Sequence, residues 1–262
     1  MTSRAKFAFT KSLLTIAGVV FLLAAGPSRA ADDATAEDAD LAKSILQKAD
    51  LVRFPAQGFE VGVTINSSGG AVSTEVHKYK ILSKGNENTI VMSTEPASER
   101  GQIMLMKARD LWVFLPAVSQ PVRLGLSQRL TGMVANGDLA RANFVGDYEP
   151  KLLRKESVEG EPTYVLELMA VDRGVPYHRV VLWVHQSTFG PVKAEFYSLS
   201  DRLLKTCLYQ KYEKMAGRLR PTRLVMQDAL RSGEESVLDY ADMKPRDLPD
   251  KVFTKDYLKR LE

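Results

Sequence analysis

The sequence predicts a mainly β domain built on one large antiparallel sheet, and three observations carry that prediction. Roughly a dozen short runs, apolar or alternating apolar with polar, follow one another at strand length. Turn-forming clusters separate many of them: Asn66-Ser67-Ser68-Gly69-Gly70, Lys84-Gly85-Asn86, Asp172-Arg173-Gly174, Ala216-Gly217 and Ser232-Gly233. No fixed-period repeat runs through the chain, which argues against a propeller or solenoid. So many hairpin-linked strands must curl into a barrel or fold into a sandwich.

Residues 1–30 read as a secretory leader. Arg4, Lys6 and Lys11 precede the apolar run from Leu13 to Ala25, and Ser28-Arg29-Ala30 places small residues three and one before a cut after Ala30. The run is short of the about twenty residues that a membrane-spanning helix needs. No cysteine follows the cut to carry a lipid, and no twin arginine precedes the run. Residues 31–262 then form a single domain, which begins with an acidic, alanine-rich stretch from Ala31 to Asp40, expected to be mobile. From Leu41 to Val52 the period turns helical, with Leu41, Ile45, Ala49 and Val52 on one face and Lys43, Gln47, Lys48 and Asp50 facing away. Pro55 ends that helix.

Strands are expected at 59–66, 72–82, 88–94, 101–107, 110–115 and 121–126, then at 152–158, 163–170, 178–185, 192–198, 204–213, 219–228 and 234–241. Between the two sets, Ser127 to Val134 reads as helical through Leu130, Met133 and Val134, and Asn136-Gly137-Asp138 as a turn and cap before Leu139 to Asn143. A last short helix capped by Thr254 runs through Tyr257, Leu258 and Leu261. Within the sheet, a loop centred on Thr188 pairs Val184 with Val192 and Leu182 with Ala194, setting Val192, Ala194 and Phe196 on one face.

Composition excludes several classes. With 45% hydrophobic and 26% charged residues the chain is neither low-complexity nor largely disordered. A single cysteine, Cys207, rules out an internal disulfide framework and reads as a structural thiol. The formal charge of +4 belongs to the leader: losing Arg4, Lys6, Lys11 and Arg29 takes 36 basic residues to 32, against 32 acidic ones. The electrostatic footprint of a nucleic-acid binder is missing. His77, His178 and His185 show no metal-ligand spacing and read as strand-end or surface residues; no cofactor is expected. No nucleophile elbow, P-loop or dinucleotide fingerprint appears. Asp110, Asp138, Asp147 and Asp228 sit near turns or strand ends, where aspartate is common.

The apolar strands admit two readings, a filled core or a lumen open to an acyl chain. Methionines at 104, 106, 133 and 226 favour the second, because Met adapts its shape to varied apolar partners.

Trp112-Val113-Phe114-Leu115-Pro116-Ala117 followed by Pro121-Val122-Arg123-Leu124 resembles a strand of the outer-membrane lipoprotein-sorting proteins, the LolA-type family. Val181-Leu182-Trp183-Val184, Pro191-Val192-Lys193, Pro221-Thr222 with Met226-Gln227-Asp228, and Phe253-Thr254 with Tyr257-Leu258 continue the likeness over most of residues 31–262. The segment from Asn136 to Phe144 departs from it, lacking the paired acidic residues that relatives often carry. The resemblance implies a strongly curved, incomplete antiparallel barrel with short helices over its open side. It also implies a periplasmic carrier, not an enzyme, for lipid or lipidated protein. An inner-membrane transporter or an outer-membrane acceptor is the implied partner.

On that reading Met104, Met106, Trp112, Phe114, Leu182, Val184, Phe196 and Met226 line the cavity, and the 127–144 segment with Leu130, Met133 and Val134 forms a lid. A sensory module of the same fold acting on a membrane signalling protein is the alternative, and a secreted hydrolase the third.

Overall fold

The computed structural model describes residues 29–69, 72–85, 87–118 and 120–258, so most of the expected leader lies outside the described residues. No described helix is long and apolar enough to cross a membrane.

The chain opens with α1 (Arg29–Arg53). This helix takes in the Ala31–Asp40 stretch expected to be mobile; alanine is the best helix former, and acidic residues near a helix N-terminus complement its dipole. Its buried stripe is Ala42, Ile45, Leu46, Ala49 and Val52, whereas Leu41 is exposed. Asp50, expected to face away, is buried.

Six strands follow: β1 (Phe59–Gly69), β2 (Val72–Lys84), β3 (Asn88–Glu95), β4 (Ile103–Lys107), β5 (Asp110–Phe114) and β6 (Val122–Leu124). A crossing segment then carries β7 (Arg129–Thr131), β8 (Val134–Ala135) and α2 (Asn136–Ala140). Seven more strands return: β9 (Tyr148–Val158), β10 (Glu161–Ala170), β11 (Arg179–His185), β12 (Pro191–Tyr197), β13 (Leu203–Met215), β14 (Arg218–Asp228) and β15 (Glu235–Pro245). A 3-10 turn, Asp250–Val252, and α3 (Lys255–Leu258) end the described chain.

Thirteen strands form one antiparallel sheet in the order β6-β5-β4-β3-β2-β1-β15-β14-β13-β12-β11-β10-β9. Every neighbour is a hairpin partner except β1 and β15, which join the two halves. The sheet is not closed into a barrel; β6 and β9 are its free edges. Residues 125–147 pass from one edge to the other, so topology alone sends them across the open concave side.

The concave face carries the main core. Side chains such as Ile65, Leu166, Leu182, Leu224 and Leu238 pack against Ile45, Leu46 and Ala49 of α1. Arg220 holds the end of that helix, donating from Nη1 to the carbonyls of Leu51 (2.8 Å) and Val52 (2.9 Å). The convex face of β2–β5 is covered by the C-terminal segment, where Leu248, Val252, Phe253 and Leu258 pack on Leu82, Ile90, Ile103 and Leu105. Thr254 caps α3 as expected, its Oγ1 accepting the Tyr257 N–H at 3.3 Å; the expected continuation to Leu261 lies outside the described residues.

Two further expectations, in the sheet and the crossing segment, need correction. Leu182 pairs with Ala194, but a bulge sets Val184 opposite Pro191 and turns Val192 to the outer cluster around Trp183. The 127–134 stretch is a two-stranded ribbon rather than a helix. Gly132 decides this: its φ is +50°, and a Cβ there would overlap the Ser67 and Ser236 hydroxyls.

Candidate functional site

The concave face is divided. Over β9, β12 and β14 it is filled by α1. Over β2–β6 it holds a cleft of about 320 Å³. Val91 of β3, Met104 of β4, Val113 of β5 and Leu124 of β6 contribute its apolar wall, with Leu115 just beyond β5, and Leu130 of the ribbon faces them. Polar groups lie among them: Tyr79, Ser93, Glu99, Gln102, Gln128, Arg129 and Asn136. The concave face is thus filled over one half and holds an open cleft over the other.

The crossing segment is held over the concave face by buried polar contacts at several points. His77 of β2 links the ribbon to the cleft, its Nδ1 lying 3.1 Å from Thr131 Oγ1 and its Nε2 3.3 Å from Glu99 Oε1. It is therefore a buried residue inside a strand, not a surface one. The Ser236 hydroxyl accepts the Met133 N–H at 2.9 Å and meets Ser67 Oγ at 2.8 Å. Lys205 Nζ of β13, 3% exposed, donates to Asp138 Oδ2 (2.6 Å) and to the Met133 carbonyl (2.8 Å). Asp138 also accepts the Tyr177 hydroxyl and the Ala135 N–H, so it caps α2 and anchors it together.

Further along, Asp147 accepts from both Arg141 and Arg109, and Arg109 also pairs with Asp172. Asp50 of α1 accepts the N–H groups of Phe144 and Val145, each at 2.8 Å. Burial pushes its carboxyl above the ordinary aspartate range, opposed by the Arg53 guanidinium and those two N–H groups. The void beside the Asp138–Lys205 cluster measures about 30 Å³, enough for a water and for no organic substrate. These groups are anchors.

Of the residues expected to line a cavity, Met104 lines the large cleft. Phe196 and Met226 face the small void instead. Met106, Leu182 and Val184 are fully buried in the core. Trp112 and Phe114 stand on the opposite face: Met104 pairs with Val113, and Leu105 with Trp112, so the two aromatics cannot share a side with the two methionines. Phe114 packs in the C-terminal cluster, and Lys255 Nζ lies 5.0 Å from the Trp112 ring centroid. Among the lid residues, Leu130 lines the cleft and Val134 is fully buried. Met133 is tied to the sheet through both backbone groups.

Sequence reasoning missed Tyr79, Ser93, Lys205, Tyr177 and Arg141. The one available signal was Lys205, which alternates with Cys207 and Tyr209 on a buried face, but Leu204 and Leu208 make the other face equally apolar. Burial pushes the Cys207 thiol up to about 12.

An open, strongly curved antiparallel sheet with a segment crossing its concave side defines the structural class, and known structures share the fold. A LolA superfamily protein from Nitrosomonas europaea is 64% identical; the alignment covers 82% of this chain and 98% of that one, with a TM-score of 0.79. The chain belongs to the LolA superfamily. A DUF1329 family protein from Desulfovibrio piger, 23% identical with 84% and 99% coverage, superposes at a TM-score of 0.74. A domain from Vibrio parahaemolyticus assigned to outer membrane lipoprotein sorting, 22% identical with 85% and 100% coverage, gives 0.72. These last two share the fold. A family model described only as an uncharacterized protein matches residues 85–260. No curated protein matches the chain.

Proposed function

We propose that the chain is an exported periplasmic carrier that binds lipid or lipoprotein acyl chains in the β2–β6 cleft and passes them between envelope membranes. The observation that carries this reading is the cleft of about 320 Å³ on the concave face, whose apolar wall is Val91, Met104, Val113, Leu124 and Leu130. Its size falls at the lower end of the ~300–1,000 Å³ range of ligand pockets. The leader read over residues 1–30 supports export, and membership of the LolA superfamily supports lipid handling.

The physical need is simple. An acyl chain drawn from a bilayer into water loses about 0.8 kcal/mol per methylene, so transfer requires an apolar surface that replaces the bilayer. The cleft supplies that surface for one chain. Admitting more of a cargo requires the Arg129–Ala135 ribbon to lift, and the polar contacts at Thr131, Met133 and Asp138 close it again. Loading and release depend on membrane partners, an inner-membrane transporter and an outer-membrane acceptor.

The test is organic extraction and mass spectrometry of protein purified gently from periplasm, followed by transfer of a labelled lipid between donor and acceptor vesicles. A stoichiometric lipid or lipopeptide together with protein-dependent transfer supports the carrier. Repeated preparations without lipid, and no binding of a fluorescent monoacylglycerol, overturn it.

A further inference from the structure

Among the polar groups of the cleft wall, two hydroxyls are buried and unpaired. Tyr79 of β2 and Ser93 of β3 are direct cross-strand partners, and both line the cleft. Tyr79 is 4% exposed and Ser93 7%. Neither hydroxyl has a hydrogen-bond partner among the described residues. An unpaired buried hydroxyl is costly, and most buried polar side-chain atoms are paired. The two residues share one register position and both line a ligand-sized space, so an acceptor that enters the wall between them would satisfy both hydroxyls.

We propose that the cleft recognises an acyl chain through a neutral carbonyl oxygen, that of an ester or amide linkage, placed between the Tyr79 and Ser93 hydroxyls. A carbonyl oxygen carries two lone pairs and no proton, so it can take one hydrogen bond from each hydroxyl. Glu99 lines the same cleft, and its charge disfavours an anion beside Tyr79. The phenol already responds to that field: burial first, then Glu99, pushes its pKa up, so it remains a proton donor. A neutral linkage therefore suits the position better than a free carboxylate. The chain beyond the carbonyl lies along Met104, Val113 and Leu124, and the polar head meets Gln102, Gln128 or Arg129.

This inference rests on the carrier reading, and its test separates the two. A 1-acylglycerol and the 1-O-alkylglycerol of equal chain length differ by the one carbonyl. Each is titrated calorimetrically, below its aggregation concentration, into the full chain and into the Tyr79→Phe/Ser93→Ala variant. The ester is expected to bind the unaltered protein about tenfold more tightly, the worth of two modest hydrogen bonds, and the preference is expected to vanish in the variant. Equal binding of both lipids by the unaltered protein overturns the carbonyl assignment and leaves the carrier standing. So does a preference that survives in the variant. Binding of neither overturns both readings. Should the double variant fail to fold, Tyr79→Phe and Ser93→Ala are read singly, each expected to remove part of the preference.

Discussion

Lys205 Nζ lies 2.6 Å from the Asp138 carboxylate, and both side chains are buried under the concave face, 3% and 7% exposed. The pair joins β13 of the returning half of the sheet to α2 of the crossing segment, across 67 residues of chain. The lysine also sits 5.0 Å from the Tyr177 ring centroid and 5.3 Å from that of Phe196, which adds cation–π attraction in a desolvated place. Removing one member leaves the other charge buried. Lys205→Met is expected to cost about 3 kcal/mol in urea unfolding. In an Asp138→Asn background the same change should cost about 1 kcal/mol or less, because no carboxylate is then stranded. Equal costs in the two backgrounds would show that the pair is not coupled.

The ribbon depends on Gly132. Alanine at φ +50° is strained by about 1–2 kcal/mol, and its methyl group would also overlap the Ser67 and Ser236 hydroxyls that hold Met133. Gly132→Ala should therefore destabilise the protein by more than about 2 kcal/mol. Thermal unfolding checks this, and an unchanged midpoint would mean that the ribbon is not held as described.

The two faces of β4 and β5 should respond differently to substitution. Met104→Gln places an amide in the apolar wall of the cleft and is expected to weaken lipid binding by about tenfold or more. Trp112→Ala removes a ring from the opposite face and should leave lipid affinity unchanged while lowering stability. A fluorescent monoacylglycerol titration on both variants separates them, and the reverse pattern would place the lipid on the convex side.

Asp50 gives the acid-range behaviour a sign. Burial raises its folded-state pKa above that of the unfolded chain, so the folded protein holds this proton at pH values where the unfolded chain has lost it. Its contribution is present in full below the unfolded pKa and is lost as pH rises through the raised folded value. The stability difference between the unaltered protein and Asp50→Asn should therefore shrink as pH rises from 4 towards neutrality. Denaturant unfolding at matched pH values measures it, and a difference that grows with pH would contradict the raised pKa.

Cys207 should be inert while the protein is folded. With its pKa pushed to about 12 by burial, the thiolate fraction at pH 8 is on the order of one part in ten thousand, and the sulfur is out of contact with solvent. Ellman's reagent is expected to label it only after unfolding, so rapid labelling of the native protein would show that the core around β13 opens.

The strand succession was legible in the sequence because alternation and turn chemistry are local. Eleven of the thirteen expected strands meet observed ones within about three residues at each end; β9 starts at Tyr148 rather than 152, and β15 ends at Pro245 rather than 241. The helix Leu41–Val52 was legible for the same reason, and the cap at Thr254 likewise. The ribbon at 129–135 was not, since Leu130, Met133 and Val134 fit a helical spacing and the positive φ of Gly132 exists only against Ser67 and Ser236, which arrive from β1 and β15.

The sequence by itself determined that a long antiparallel sheet would form, that α1 would bury one stripe, and which strands would carry the apolar weight. Tertiary structure alone decided which of two apolar faces turns inward: Val113 and not Trp112 reaches the cleft, because pairing with Met104 sets the register of β5, and both of its faces are apolar. It also decided that Asp138 and Lys205 are buried partners, that Asp147 is buried beside Arg141, and that Tyr79 and Ser93 pair across β2 and β3 in the cleft wall. Those relationships join residues brought together by the course of the sheet and the segment that crosses it, and no local pattern encodes a distance between them.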